Sequence, residues 1–435
     1  MIDIKLIREK PELVKENIKK KFQNNKLDLV DEILKNDEDW RRIKKEVDDL
    51  RHERNEISEK INKAQKQKNN SLMNELVGKA REIPKKLVEL EEEEKKLENE
   101  IRIAMIKIPN IISKHTPSGK DATYNKEIRK VGKVPKFKFP IKTHVELIEK
   151  LGLADFDASA RVSGNGFYYL KGELALLNQA LIRFAIDFMI KKKYNYIETP
   201  LMLNDKSVYA SMDKAAIEQS MYSIKDEDLN LIGTAEQSLL AMHSGQTIKE
   251  EDLPKKYFSY SMCFRKEIGA HGINEKGLWR THQFNKVEQF IFCKPEDSEK
   301  LYGELMKNTD DILKALKLPY RWIELCSGDL GDWKYRSADF EVYRPTLKEY
   351  GELGSLTNCT DYQARKLDIK CIDKKGNKRV LHTLNNTALA TSRTMVAIIE
   401  NYQQKDGSIK VPSVLQKYMN GIKSIGGKKN VKRRR

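Results

Sequence analysis

Residues 258–292 gather the side chains best suited to hold a charged ligand. Phe258, Tyr260, Met262 and Phe264 are apolar at a period of two. In a strand, Ser259, Ser261, Cys263, Arg265 and Glu267 therefore line the opposite face, small at first and then charged. After a glycine-punctuated stretch, Phe284 and Glu288 are four apart and share a face of a second strand. The hairpin thus offers an arginine, an aromatic ring and two carboxylates to one space, as the floor of a site would. Spacing alone equally allows an amphipathic hairpin with one wet side.

These residues must be positioned by a larger frame. The chain has 435 residues, enough for two or three domains. Charged residues make up 34% and the formal net charge is +17, which points to a polyanionic partner, nucleic acid before anionic membrane. A basic surface that serves only solubility is the alternative. The five cysteines, at 263, 293, 326, 359 and 371, are scattered and never form a C-x-x-C pair. This argues for a reducing compartment and against a disulfide framework or a thiolate zinc site. No apolar run reaches the roughly 18–20 residues that span a bilayer, and the start lacks a signal-peptide core, so a soluble cytoplasmic protein is expected.

Residues 1–25 read as a short strand and a small helix with Pro11 in its first turn. Trp40, Ile43, Val47, Leu50, Ile57, Ile61 and Ala64 then follow a three-four alternation. It is interrupted at 66–71 (KQKNNS) and resumes from Met73 to Ile108. Two heptad runs joined by a polar turn predict an antiparallel coiled-coil arm over about 28–108, each helix on the order of 50 Å long, kinked or loosened at Pro84. Its basic residues Arg51, Arg54, Lys60, Lys63, Lys66 and Lys68 are candidates to meet phosphates, or simply a solvated face. Residues 111–140 are expected to be an irregular linker, with Pro117, Pro135 and Pro140. From 141 to 420 helices and strands alternate without a βαβ rhythm. The expected fold is α+β: an antiparallel sheet flanked by helices. Order is expected to fade from Val411, with residues 421–435 a basic disordered tail.

Three stretches in this order resemble the three motifs of class II aminoacyl-tRNA synthetases. They are residues 172–200 (long helix, strand, proline), 257–290 (strand, FRKE, loop, strand) and 383–402 (TLNNTALATSRTMVAIIENYQ). The N-terminal hairpin, GTAEQ at 233–237, GLWRTHQFNKVEQF at 277–290 and GELGSLTNCTDYQARK at 351–366 are similar to the seryl-tRNA synthetase family in particular. The resemblance covers nearly the whole chain. It implies an N-terminal tRNA-binding domain over 1–110 and a catalytic domain over 141–420.

It also implies a reaction: ATP and L-serine give seryl-adenylate, and the seryl group passes to tRNA(Ser), with tRNA(Sec) a second candidate. Arg265 and Arg393 match the family's catalytic arginines, on the α-phosphate and carboxylate and on the γ-phosphate. Arg265, Lys266, Glu267, Thr281, Phe284, Glu352, Leu353, Gly354, Ser355 and Arg393 match the ATP-binding positions, with adenine between Phe284 and Arg393. Thr234, Ala235, Glu236, Arg265, Glu288 and Thr387 match the serine-binding ones, and Glu352 with Ser355 the Mg²⁺ ligands. The family's homodimer, whose arm reaches the tRNA's long variable arm, is implied too. The sequence departs from common family wording at Asn386-Thr387, at Thr391-Ser392, and at Ile268 and His271. The 268–278 loop is expected to face the tRNA acceptor end, with His271 incidental to catalysis. Two other readings stay open: a paralogue that activates serine without charging tRNA, and a non-enzymatic RNA-binding protein.

Overall fold

The computed structural model describes residues 1–267 and 276–426. It divides into two units, residues 2–109 and residue 1 with 110–435.

In the first unit, Ile4–Glu9 and Pro11–Lys20 are both helical. The opening strand expected from MIDIK does not form, because the Asp3 side chain accepts the Lys5 N–H and starts a helix there. Two long helices follow, Asp28–Lys66 and Asn70–Lys107. They turn through Gln67 and Lys68, the latter with φ +54°, and Asn69 caps the second helix through the Leu72 N–H at 3.2 Å. At 39 and 38 residues each is about 57–59 Å long. The second passes through Pro84 as one element. Ile43, Val47, Ile57, Leu76, Ile83 and Leu87 fill the seam between them. Lys44 reaches Glu94 and Arg51 reaches Glu91 across it, at 3.1 and 2.8 Å. Arg51 is thus engaged within the hairpin, and Lys60 pairs with Glu56. Arg54, Lys63, Lys66 and Lys68 are exposed and form no ion pair among the described residues.

The second unit is built on eight strands: β1 (Lys126–Val131), β2 (Asn195–Tyr196), β3 (Lys255–Phe264), β4 (Gln283–Cys293), β5 (Tyr320–Glu324), β6 (Arg336–Arg344), β7 (Glu349–Thr360) and β8 (His382–Ala390). Their order is β1-β5-β6-β7-β8-β4-β3-β2. Every joint is antiparallel except the last, where β2 runs parallel to β3. The supposed linker therefore supplies an edge strand, held by Val131 opposite Tyr320 and by Arg129 bonded to Asp310. Order also continues past Val411: Ser424–Ile425 pairs with Ile409–Lys410, because Val411, Leu415, Met419 and Ile425 are apolar and buried in the main core. The remaining tail lies outside the described residues, as does His271.

Alternation sorts the sheet into two faces. Val287, Ile291, Ala338, Phe340, Leu356, Leu384 and Ala388 point into one core with the helices Gly172–Lys191, Ser298–Ala315 and Thr391–Asn401. On the other face, Phe290 and Phe292 pack with Leu239, Leu240 and Ile369 at one end, and a cavity opens at the other.

Candidate active site

The β3–β4 pairing puts Ser259 opposite Glu288, Ser261 opposite Lys286 and Cys263 opposite Phe284. This is the expected polar face, but it is the drier of the two. Ser259, Ser261 and Cys263 are fully buried, whereas Met262 on the apolar face is 40% exposed. Small side chains on β3 leave room for long polar ones from β4 and β8. They line a cavity of about 290 Å³ with Arg265, Glu267, Thr281, Phe284, Glu288, Thr234, Glu236, Glu352, Leu353, Gly354, Ser355, Thr387 and Arg393. Two residues from the sequence expectation do not line it. Ala235 is buried in the helix Ala235–Ala241, and Lys266 lies where the chain turns away, its N–H bonded to the Ser220 carbonyl.

One half of the cavity is acidic and dry. Thr234 caps the Ala235–Ala241 helix, its hydroxyl accepting the Glu236 N–H and lying 3.4 Å from Glu288 Oε2. Glu236 accepts from Gln363 at 2.8 Å and from Asn385 at 2.9 Å. Burial, with Glu288 nearby, pushes the Glu236 carboxyl up to about 7. Glu288 is paired with Lys286 at 2.5 Å, and both are buried. Thr387 sits opposite Glu288 in register. Gly354 makes room for it: a Cβ there would lie 2.7 Å from that of Thr387 and 2.5 Å from the Phe340 ring. The threonine that departs from family wording thus fits against a bare backbone. Asn386, the other departure, faces away and donates to the Leu305 carbonyl and Thr309 hydroxyl.

The other half is cationic. Arg265 donates from Nε to the Gly233 carbonyl at 3.2 Å, and its guanidinium lies 5.3 Å from the centre of the Phe284 ring. Arg393 stands in the first turn of Thr391–Asn401, where the helix end adds positive potential. It donates to the Glu352 carbonyl at 2.8 Å and meets the Glu352 carboxylate at 3.2 Å. Desolvation by the cavity walls works against ionising Glu352, although its side chain is half exposed, yet Arg393 and Arg265 hold its pKa below the ordinary carboxylate value. Glu267 adopts φ +51° and accepts from Arg280 at 2.6 Å.

Asp339 stands opposite Ser355 in register. Burial, then Glu352, raises its carboxyl to about 7, and its buried Oδ1 has no hydrogen-bond partner among the described residues. Ser355 also meets the Ser337 hydroxyl at 3.2 Å. Among the described residues no group of three His, Cys, Asp or Glu could hold a metal. A few hard oxygens opening onto a cavity nevertheless suit a cation that completes its shell with substrate oxygens and water, as Mg²⁺ does.

The sequence reading passed over Lys286, Asn385, Gln363, Asp339 and Trp279. Lys286 carried a signal, since it lies between Phe284 and Glu288 on the same period of two. Gln363 and Asn385 carried none, being 127 and 149 positions from the carboxylate they serve.

An antiparallel sheet backed by long helices, with one arginine just past the end of β3 and another in the first turn of the helix that follows β8, defines the class II synthetase core. Residues 221–402 match the model of the tRNA synthetase class II core domain (G, H, P, S and T). Residues 1–112 match the seryl-tRNA synthetase N-terminal domain. The serine–tRNA ligase of Methanocella arvoryzae is 44% identical over 98% of this chain and 100% of its own. The seryl-tRNA synthetase of Pyrococcus horikoshii, solved with ATP, superposes with a TM-score of 0.91 at 41% identity, covering 98% of this chain and 99% of the other. The cytoplasmic serine–tRNA ligase of Naegleria fowleri, solved with AMP, gives 0.87 at 32%, covering 98% of both. The chain belongs to the seryl-tRNA synthetase family.

Proposed function

We infer that this chain joins L-serine to tRNA(Ser) at the expense of ATP, through a seryl-adenylate formed in the cavity. The observation that carries this reading is the division of that cavity into a dry acidic half and a cationic half, with Arg265 at the border. An amino acid presents an ammonium and a hydroxyl at one end and a carboxylate at the other. Glu236 and Thr234 suit the ammonium, and Glu288 and Thr387 the hydroxyl. Arg265 suits the carboxylate and the α-phosphate together, since a planar guanidinium grips two oxyanions where an ammonium would not.

In the first step a serine carboxylate oxygen bonds to the α-phosphorus, and the bond to the pyrophosphate oxygen breaks, its electron pair leaving with pyrophosphate. The nucleophile is already an anion, so the protein's task is alignment and charge neutralisation rather than proton removal. Arg393 would take the γ-phosphate, with adenine between it and Phe284 and its edge near Glu267 and Thr281. Glu352 and Ser355 would hold Mg²⁺, which neutralises the polyphosphate when bound. In the second step a terminal ribose hydroxyl of the tRNA attacks the seryl carbonyl and AMP leaves.

Residues 1–110 belong to tRNA binding in this reading, and the exposed Arg54, Lys63, Lys66 and Lys68 suit the phosphates of a long variable arm. Residues 141–420 carry the catalysis. A homodimer, serylation of tRNA(Sec) where that tRNA occurs, and a cytoplasmic setting complete the reading. Supporting the last, the five cysteines are buried free thiols, and among the described residues no helix is long and apolar enough to cross a membrane. Pyrophosphate exchange across the amino acids, followed by charging of total tRNA, tests the whole. Exchange with serine alone and charging of serine tRNAs are expected. Exchange with another amino acid would overturn the substrate, and exchange without charging would favour a paralogue.

A further inference from the structure

We propose that Trp279 is a positioning residue for Arg393, and that a buried His144–Glu400–Arg344 group holds Trp279 in place. Trp279 meets Arg393 twice: its carbonyl accepts from Arg393 Nε at 3.2 Å, and the guanidinium lies 5.6 Å from the centre of the indole. The indole is itself fixed. Arg344 stacks on it at 4.3 Å, and it packs so closely on Gly351 that a Cβ there would fall 2.5 Å from the ring. Glu400, with none of its surface exposed, accepts from Arg344 at 3.2 Å and from the Thr346 hydroxyl at 2.9 Å.

His144 closes the group. Its Nε2 accepts the Leu278 N–H at 3.3 Å, so the ring proton sits on Nδ1 and is donated to Glu400 at 3.1 Å. Glu400 lies on the same helix as Arg393, and Leu278 precedes Trp279. The group therefore ties the helix that carries Arg393 to the segment that carries its shelf. An arginine side chain has several rotatable bonds, and holding it at two points removes freedom that ATP binding would otherwise have to remove. All four lie outside the hairpin's paired strands, which end at Phe264 and begin again at Gln283.

The inference rests on the reading of Arg393 as an ATP-phosphate residue. The test is a double-mutant cycle in the full-length enzyme, with Trp279→Leu, Arg393→Ala and the pair, measuring KM for ATP and for serine in pyrophosphate exchange. Trp279→Leu is expected to raise the ATP KM roughly tenfold and to leave the serine KM within about twofold, and Trp279→Phe to recover most of the loss. In the Arg393→Ala background, Trp279→Leu is expected to add nothing. Effects that multiply, or a serine KM rising with that of ATP, would overturn the proposal. An Arg393→Ala enzyme with unchanged ATP KM would instead sink the reading of Arg393. Should Trp279→Leu not fold, Arg344→Lys keeps the charge but gives up the planar stack, and is expected to raise the ATP KM about threefold by the same pattern.

Discussion

The two units handle charge in opposite ways. Apart from Asp37, which is buried and pairs with Arg8 and Arg41, the helical hairpin keeps its charges mostly outside and pairs them with neighbours a turn away, such as Lys60 with Glu56, or directly across the seam, such as Arg51 with Glu91. Such solvent-exposed pairs are screened by water and salt and add little to stability. The catalytic unit carries charges inside: Lys286 beside Glu288 in a dry pocket and, joined over long stretches of chain, Glu236 with Asn385 and Gln363 and Glu400 with His144 and Arg344. A buried charge left without its partner costs about 3–5 kcal/mol. The arm can therefore tolerate change at most of its surface, while the site is sensitive at single atoms.

The largest effect should come from separating the two. Deleting residues 40–108 and closing the gap with a short flexible linker should leave serine-dependent pyrophosphate exchange within a few-fold. It should lower tRNA charging by at least about 10³, because the exposed cations proposed to meet the tRNA phosphates leave with the arm. Loss of both activities together would make the arm a folding element, and the contrast between the units would fail.

Within the site, Glu288→Ala comes next. It removes the proposed partner of the serine hydroxyl and strands Lys286 in a dry environment. Serine activation should fall by at least about 10³, while ATP affinity, measured by calorimetry, stays within about threefold. An equal loss of ATP binding would mean that Glu288 supports the whole cavity rather than its acidic half.

The same contrast decides what could be read from the chain. The arm's heptads are local, and a stripe of Ile, Val and Leu every three or four residues suffices to place both helices and the turn between them. The hairpin around Arg265 was legible for a similar reason, since alternation of two sorts its residues onto faces. Lys126–Val131 was not, because an edge strand with five exposed residues has no alternating apolar pattern to show. Nor were Ser424–Ile425, which are held by residues on other elements. Gln363, Asn385, Asp339 and Trp279 belong to the site only because the sheet brings distant segments together, and no local spacing announces that. Arg393 and Glu352 were named through resemblance, since neither an arginine in a helix nor an E-x-x-S is a signal by itself.

Arg265→Lys tests the border between the halves. Lysine keeps the charge but cannot bridge carboxylate and phosphate in one plane, so kcat should fall about 10²-fold with a smaller change in either KM. A change confined to the serine KM would place Arg265 in the acidic half alone.

The smallest predicted effect is a dependence of serine binding on pH. Glu236 has an ordinary value of 4.5, and burial beside Glu288 raises it to about 7 in the ligand-free enzyme. Between these values the folded protein holds a proton that the unfolded chain has released, so stability from this group is present at low pH and declines as pH rises through about 7. An ammonium beside the carboxylate favours the ionised form. Serine should therefore bind more tightly as pH rises from 6 to 8, by roughly tenfold if only ionised Glu236 accepts it. Calorimetric titration at three pH values measures this, and Glu236→Gln should flatten the dependence. It should also flatten the part of the fall in melting temperature between pH 5 and 7 that Glu236 causes, leaving a share for Asp339, raised to about 7 by burial and Glu352. Serine affinity indifferent to pH would mean that the ammonium lies elsewhere, and the acidic half would then owe its charge to the hydroxyl end alone.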